Sequence, residues 1–182
     1  LLGLVSFGRF TLFQACLWLA ITAASLIAAA QLEAPGTAIK HQLVTLFLAA
    51  AAITIAGYIR SFPEERFHLI MACFLISMTC AALFAIVGRL GLAPGATEYF
   101  TSYGRGRGTF KDPNVLGAAL VPALAYLCWM VMRRRQVPIV LVTAIGGMLT
   151  LGLFFSFSRG AWLAMAICLV VLGVGIAISS RR

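Results

Sequence analysis

The segment VLGAALVPALAYLCWMVM, residues 115–132, contains no charged side chain and is followed at once by three arginines, residues 133–135. A helix needs roughly 20 predominantly apolar residues to cross the hydrocarbon core of a bilayer. Pro122 removes one backbone hydrogen bond inside the segment, which creates a point at which a helix can bend. The segment therefore predicts a transmembrane helix that ends at a basic interface.

The composition of the whole chain indicates the same class of protein. Of the 182 residues, 62% are hydrophobic and only 10% are charged, and the mean hydropathy is +1.02. These values lie far from those of soluble domains. The sequence predicts an all-α, polytopic membrane helix bundle that forms a single transmembrane domain over residues 1–182. About six spans are expected, with an external loop at residues 88–114; the spans are residues 11–32, 42–59, 69–87, 115–132, 137–157 and 160–178.

The net charge of +9 would suggest nucleic-acid binding in a soluble chain. Here the basic residues stand between apolar segments, where they set topology or meet the headgroups of membrane lipids, so nucleic acid is excluded as a partner. The five cysteines lie within apolar runs without the paired spacing of metal ligands, and they are interpreted as packing residues. The sequence predicts no metal and no other cofactor.

Alternation of six spans divides the 14 basic residues into eight on one side and six on the other. The arginines at residues 133–135 and the terminal pair at residues 181–182 lie tight against predicted helix ends, where the positive-inside rule gives them most weight. We therefore expect these arginines in the cytoplasm. The loop at residues 88–114 and Arg159 then face outwards.

The external loop contains the most polar stretch of the chain, GRGRGTFKDPN, residues 104–114. Arg105 and Arg107 supply forked guanidinium donors, and the glycines, including Gly106 and Gly108, let the backbone approach a ligand closely. This combination suits a phosphate or a diphosphate. The alternative interpretation is a solvated loop whose arginines contact lipid phosphates.

The same stretch ends at the predicted start of a helix. Either Asp112 caps that helix with Pro113 at the first helical position, or Asn114 is itself the cap. In both cases the free N–H groups and the positive end of the helix dipole point towards the arginines. Both alternatives favour an anion site.

A second basic position separates the last two apolar runs. Only Ser158 and Arg159 lie between them, which predicts a tight hairpin at the membrane interface. Snorkelling of Arg159 to the headgroups is the simpler alternative. Together with the glycine-rich loop, however, this turn could hold the diphosphate of a polyprenyl-linked sugar and stabilise it as a leaving group.

Two segments of the chain resemble the O-antigen ligase and O-antigen polymerase superfamily, the polytopic enzymes of bacterial surface polysaccharide assembly. The segment GRGTFKDPNVLG, residues 106–117, is similar to the family's Arg-Gly-Thr-Phe sequence followed by an Asn-Pro-Asn-type helix start. The segment FSFSRGAW, residues 155–162, is similar to the family's Ser-Arg-Gly-Ala sequence. The resemblance covers about the last half of the chain.

This resemblance implies transfer of an undecaprenyl-diphosphate-linked glycan to a lipid or sugar acceptor, without a metal, at the periplasmic face of the bacterial cytoplasmic (inner) membrane. It implies that Arg107 and Arg159 bind the diphosphate, with Arg105 as an adjacent candidate. The supporting positions in the loop and at the helix caps are Gly106, Gly108, Asp112, Asn114 and Ser158. No catalytic residue is assigned.

Members of this family are about twice as long and carry a large periplasmic loop with a histidine and an arginine. We therefore expect the chain to be an amino-terminal portion that is inactive by itself. His41 and His68 match no family motif. The alternatives are half of a transporter or flippase for lipid-linked glycans, or a non-catalytic membrane module. Transporters usually place polar residues inside their spans, and these spans contain few, which favours the enzyme.

Overall fold

A computed structural model describes residues 8–29, 35–132 and 138–179. Within these residues the chain forms seven α-helices and one short β-hairpin, so the predicted all-α bundle is confirmed. The elements in chain order are α1 Arg9–Ala29, α2 Pro35–Ser61, α3 Pro63–Leu90, α4 Ala96–Phe100, β1 Thr101–Ser102, β2 Arg105–Gly106, α5 Pro113–Met132, α6 Ile139–Ser156 and α7 Arg159–Ser179.

Five of these helices, α1, α2, α3, α5 and α6, are long and apolar enough to cross a membrane. The apolar part of α7, Arg159–Gly175, is shorter. Large apolar side chains on these helices are exposed, for example Phe47 at 71% and Val140 at 76%. Extensive apolar exposure of this kind marks a surface that contacts lipid. The chain is therefore a multi-pass membrane protein.

The helix starts differ from the prediction at two prolines. The intervals between the first three predicted spans, residues 33–41 and 60–68, are in part helical, because α2 begins at Pro35 and α3 at Pro63. Proline is well tolerated at the first helical position, where its missing N–H would have no intrahelical partner. In α3 the acidic Glu64 and Glu65 follow in the first turn, where they complement the helix dipole.

Other parts of the predicted spans lie outside the described residues. These parts are residues 30–32 of the first span and residue 137 of the fifth. The arginines expected in the cytoplasm, residues 133–135 and 181–182, also lie outside the described residues. The loop predicted at residues 88–114 is shorter in the structure, because α3 extends to Leu90 and α5 already begins at Pro113.

The chain divides into two compact units, residues 1–69 and residues 70–182. In the first unit α1 and α2 pack against each other. Where α2 passes into α3, the guanidinium of Arg66 lies 4.3 Å from the centre of the Tyr58 ring and donates a 2.6 Å hydrogen bond to the Tyr58 carbonyl. Cation–π contact and hydrogen bond together fix this junction.

In the second unit α5 packs against both α6 and α7. Its Leu116 and Leu120 are fully buried, as are Leu149 of α6 and Ala82 of α3. Small residues permit the close approach of α3 to α6, since a Cβ on Gly152 would lie 2.7 Å from the Cβ of Ala82. The helix α5 continues through Pro122 to Met132. The core of this unit therefore lies around α5.

Candidate functional site

The loop between α3 and α5 is an ordered structure built on a hairpin. Strands β1 and β2 pair in antiparallel register, with Thr101 opposite Gly106 and Ser102 opposite Arg105. Beyond the hairpin, the N–H groups of Arg107 and Gly108 both donate to the carbonyl of Phe100, at 2.9 and 3.1 Å. These bonds satisfy the backbone where it is neither helix nor strand.

Two glycines of the predicted anion loop let it pack directly on α3. At Gly108, where φ is +54°, a Cβ would collide with the main-chain carbonyl of Ala81. At Gly106 a Cβ would lie 3.2 Å from the Cβ of Ala85. Ala81 precedes the end of α3 by roughly two and a half turns, or about 13 Å along the helix axis. The loop therefore folds back alongside α3.

The start of α5 follows one of the two predicted arrangements. Asp112 is the cap: its Oδ1 accepts a 2.7 Å hydrogen bond from the N–H of Asn114, and its carbonyl accepts from the N–H of Leu116 at 3.2 Å. Pro113 is the first helical residue. The alternative in which Asn114 caps the helix is therefore not the one adopted, and the Asn114 side chain is free for a different contact.

The turn between α6 and α7 is as tight as predicted. Phe157 adopts a left-handed conformation, with φ 47° and ψ 33°, and α7 begins two residues later at Arg159. Ser158 is the cap of α7, because its Oγ accepts from the N–H of Ala161 at 3.4 Å and its carbonyl accepts from the N–H of Trp162 at 3.0 Å. The turn thus fixes Arg159 on the first turn of α7.

The loop and the turn meet at Gly117 of α5. A Cβ on this residue would lie 2.8 Å from the Cβ of Ser158, 2.9 Å from the Oγ of Ser156 and 3.0 Å from the Cβ of Ala161. Only glycine allows the start of α5 and the α6–α7 turn to approach this closely. Sequence reasoning did not single out Gly117, although a small residue in the second turn of a membrane helix is a signal of close packing.

Arg105 lies between these two segments. Its Nε donates to the carbonyl of Ser156 at 2.9 Å, and its Nη2 donates to the Oδ1 of Asn114 at 2.7 Å. The first bond reaches the carboxyl end of α6, and the second reaches the first turn of α5. Two fixed acceptors therefore hold the guanidinium of Arg105 in place.

A pocket of about 340 Å³ opens beside this guanidinium; its lining residues are Arg105, Phe157, Arg159 and Trp162. The structure thus brings together Arg105 and Arg159, two of the three predicted anion-binding arginines. The two aromatic residues were missed by sequence reasoning, because an aromatic side chain beside an apolar run is equally typical of the belt at a membrane interface.

The charge of the pocket favours an anion. No acidic side chain lines the cavity. Within the parts of the chain that the structure describes, neither Arg105 nor Arg159 forms an ion pair with a carboxylate. The amino end of α7 adds the partial positive charge of its dipole at the same point. Unpaired arginines at a membrane interface are costly unless an anionic ligand or lipid contacts them.

Arg107 has a different position. Its Nε and Nη2 both donate to the carbonyl of Tyr99, at 3.2 and 2.9 Å, and it is not among the residues that line the pocket. The side chain therefore ties the segment after β2 to the end of α4. In this structure Arg107 supports the loop, and Arg105 and Arg159 provide the cationic surface.

An apolar groove of about 370 Å³ adjoins the pocket between α6 and α7. Leu153, Met165 and Leu169 are among its lining residues, and Trp162 lines both cavities. The indole of Trp162 is held by a 3.2 Å hydrogen bond from its Nε1 to the carbonyl of Leu153 and by stacking on Phe154. A cationic pocket and an apolar groove thus share one fixed aromatic side chain.

The fold and this site define a multi-pass helical membrane protein with a cationic pocket where the start of α5 meets the α6–α7 turn. Comparison of the chain with protein-family models, with curated proteins and with solved structures finds no match in any of the three.

Proposed function

We propose that this chain is the membrane part of a glycosyltransferase that joins an undecaprenyl-diphosphate-linked glycan to a lipid or sugar acceptor in bacterial surface polysaccharide assembly. The observation that carries the proposal is the pocket in which Arg105 and Arg159 flank one cavity with no carboxylate in its lining. The resemblance of residues 106–117 and 155–162 to the O-antigen ligase and polymerase superfamily supports it. The second segment contains Phe157, Arg159 and Trp162 of the pocket lining. The first segment begins next to Arg105 and contains Asn114, which accepts a hydrogen bond from the Arg105 guanidinium.

The chemistry of a diphosphate leaving group matches this pocket. During transfer the bond between the anomeric carbon and the diphosphate oxygen breaks, and its electron pair stays on that oxygen. The acceptor hydroxyl oxygen forms the new bond to the anomeric carbon and releases its proton to a base. Fixed guanidinium groups stabilise the charge that develops on the diphosphate. The four lining residues include no base, so their assigned role is to bind the diphosphate and to ease its departure.

The apolar groove supports a lipid-linked substrate rather than a free one. Its shared residue, Trp162, stands at the boundary between the cationic pocket and the groove. A polyprenyl chain in the groove would bring its diphosphate next to Arg105 and Arg159. In the proposed orientation the pocket opens at the periplasmic face of the cytoplasmic membrane, where such glycans are transferred in the family that the chain resembles.

Binding of undecaprenyl diphosphate to the purified chain in lipid nanodiscs tests this proposal. We expect Arg105→Ala and Arg159→Ala each to weaken binding by roughly tenfold to a hundredfold, since a charge-assisted contact contributes about 1.5–3 kcal/mol. Lysine at either position should restore binding only in part, because the bidentate fork is lost. Arg89→Ala is the matched control, since Arg89 is an exposed arginine in the last turn of α3 and does not line the pocket.

Equal affinity in all four proteins would contradict the proposal and reduce both arginines to headgroup contacts. A second measurement addresses the transport alternative. The chain is reconstituted in vesicles that contain a fluorescent undecaprenyl-diphosphate sugar, and exchange of the lipid between leaflets is followed. If the chain accelerated this exchange and Arg105→Ala abolished the acceleration, the proposed function would be a flippase and not a transferase.

A further inference from the structure

Two residues other than glycine have positive φ in the described part of the chain, and both are aromatic: Tyr103, at 52°, and Phe157, at 47°. Side chains with a Cβ rarely adopt this conformation, and residues that do so cluster at functional sites. Phe157 lines the cationic pocket. Tyr103 stands two residues before Arg105, which lines the same pocket.

Tyr103 occupies the tip of the hairpin, where it is 99% exposed. It forms the two-residue turn with Gly104, and both residues have positive φ. Hairpin turns of this kind are filled with least strain by Asn-Gly or Asp-Gly. Neither the turn geometry nor internal packing therefore favours tyrosine at this position, and the whole ring is available to an external partner.

The hairpin holds this ring on a fixed base. Phe100, just before β1, stacks on Phe84 of α3 with ring centres 4.9 Å apart. The Oγ of Thr101 donates to the carbonyl of Thr97 at 2.6 Å. On the other strand, Gly106 lies against Ala85. The tip is thus presented by ordered neighbours, which reduces the entropy lost when a ligand contacts it.

We propose that Tyr103 is a sugar-stacking residue that contacts the glycan portion of the ligand whose diphosphate lies between Arg105 and Arg159. The inference rests on the proposed function and adds a subsite for the sugar. The negative face of an aromatic ring attracts the weakly positive C–H groups on one face of a pyranose. The residues on either side of Tyr103, Ser102 and Gly104, add no apolar side chain to the hairpin tip.

The distances along the chain fit this assignment. Two residues of extended chain span at most roughly 7 Å, so the Tyr103 backbone lies within that distance of Arg105. The first sugar of a lipid-linked glycan is joined directly to the diphosphate. The proposal places that first sugar between the guanidinium of Arg105 and the exposed ring of Tyr103 at the hairpin tip.

The test compares two probes, undecaprenyl diphosphate and undecaprenyl-diphospho-N-acetylglucosamine, in binding to the full chain in nanodiscs. The key variant is Tyr103→Asn, because asparagine is favoured at this turn position and preserves the hairpin while removing the ring. We expect it to weaken binding of the sugar-bearing probe by about threefold to tenfold, the range expected for loss of one aromatic stacking contact. Binding of the bare diphosphate should be unchanged.

Tyr103→Phe should retain the affinity for the sugar-bearing probe, because the ring face remains. Tyr99→Ala is the matched control: Tyr99 is 70% exposed on the same loop, but its ring lies beside Gly95 rather than at the hairpin tip.

Equal affinity of Tyr103→Asn and the unmodified chain for the sugar-bearing probe would overturn the inference while leaving the proposed function intact. Equal weakening for both probes would also overturn it and would assign Tyr103 to the membrane interface. Failure of the unmodified chain to bind either probe would overturn both proposals.

Discussion

Gly117 of α5 lies so close to Ser158, the cap of α7, that a Cβ on Gly117 would stand 2.8 Å from the Cβ of Ser158. This contact joins the two segments from which the sequence predicts anion binding. One is the glycine-rich loop with the helix start that follows it, and the other is the turn at Ser158 and Arg159. Arg105 bridges the same two segments, because its guanidinium donates to the carbonyl of Ser156 in α6 and to the Oδ1 of Asn114 in α5. The geometry of the pocket therefore depends on how closely α5 approaches the turn.

Gly117→Ala should lower the thermal stability of the chain. The added methyl group would press on Ser156, Ser158 and Ala161, all of which are buried, and overpacking of this kind typically costs about 1–3 kcal/mol. Thermal unfolding in detergent measures the effect. Gly147→Ala in α6 is the matched control, because nothing lies within 4 Å of its added Cβ and the better helix propensity of alanine should preserve or raise stability. Equal melting temperatures of Gly117→Ala and Gly147→Ala would contradict the close contact between Gly117 and the α6–α7 turn.

Arg107→Ala should loosen the loop. The substitution removes two hydrogen bonds from a guanidinium to the carbonyl of Tyr99, a loss on the order of 1.5–3 kcal/mol for a charge-assisted contact. The N–H groups of residues 107 and 108, which donate to Phe100, should then exchange with solvent roughly tenfold to a hundredfold faster. Hydrogen exchange followed by mass spectrometry measures this change.

Lys111→Ala is the charge-matched control for that experiment, since Lys111 is exposed and its removal should leave the exchange rates unchanged. If Arg107→Ala left loop exchange unaltered and abolished binding of undecaprenyl diphosphate, Arg107 would belong to the ligand site, as the family resemblance predicts.

Most of the fold could be predicted because apolar length is a direct signal in a membrane protein. Each predicted span corresponds to a helix, since backbone groups in lipid must be satisfied within the segment. The errors occurred where one residue type has two meanings. Pro35 and Pro63 lie in the intervals between predicted spans, whereas both begin helices. A proline can interrupt a helix or occupy its first position, and the choice depends on whether the following residues can continue the helix.

The site could be predicted only in part, for a geometric reason. Arginines next to glycines and a helix start indicate an anion site, and Arg105 and Arg159 do line one pocket. Which way each guanidinium points depends on the hairpin register, which sequence does not reveal. Arg105 pairs with Ser102 across the hairpin, whereas Arg107 follows the strand and turns back to Tyr99. The family motif alone gave Arg107 more weight than Arg105.

The orientation of the pocket leads to the last prediction. The helix α5 begins at Pro113 and ends at Met132, and its 20 residues are long enough to cross the bilayer. The three arginines that follow at residues 133–135 should hold that end in the cytoplasm by the positive-inside rule. Lys111, just before α5, should then face the periplasm together with the pocket.

Single cysteines at positions 111 and 132, in a chain whose five native cysteines are replaced, report these two sides. Both positions are exposed, so a membrane-impermeant maleimide should label Lys111→Cys in spheroplasts, whose cytoplasmic membrane is intact, and should label Met132→Cys only after that membrane is permeabilised. The cysteine-free chain gives the background. The reverse pattern would place Arg105 and Arg159 in the cytoplasm, on the side opposite to where the proposed transfer occurs. Labelling of both positions in intact spheroplasts would show that α5 does not cross the membrane. The proposed binding of a lipid-linked substrate in the pocket would then be contradicted.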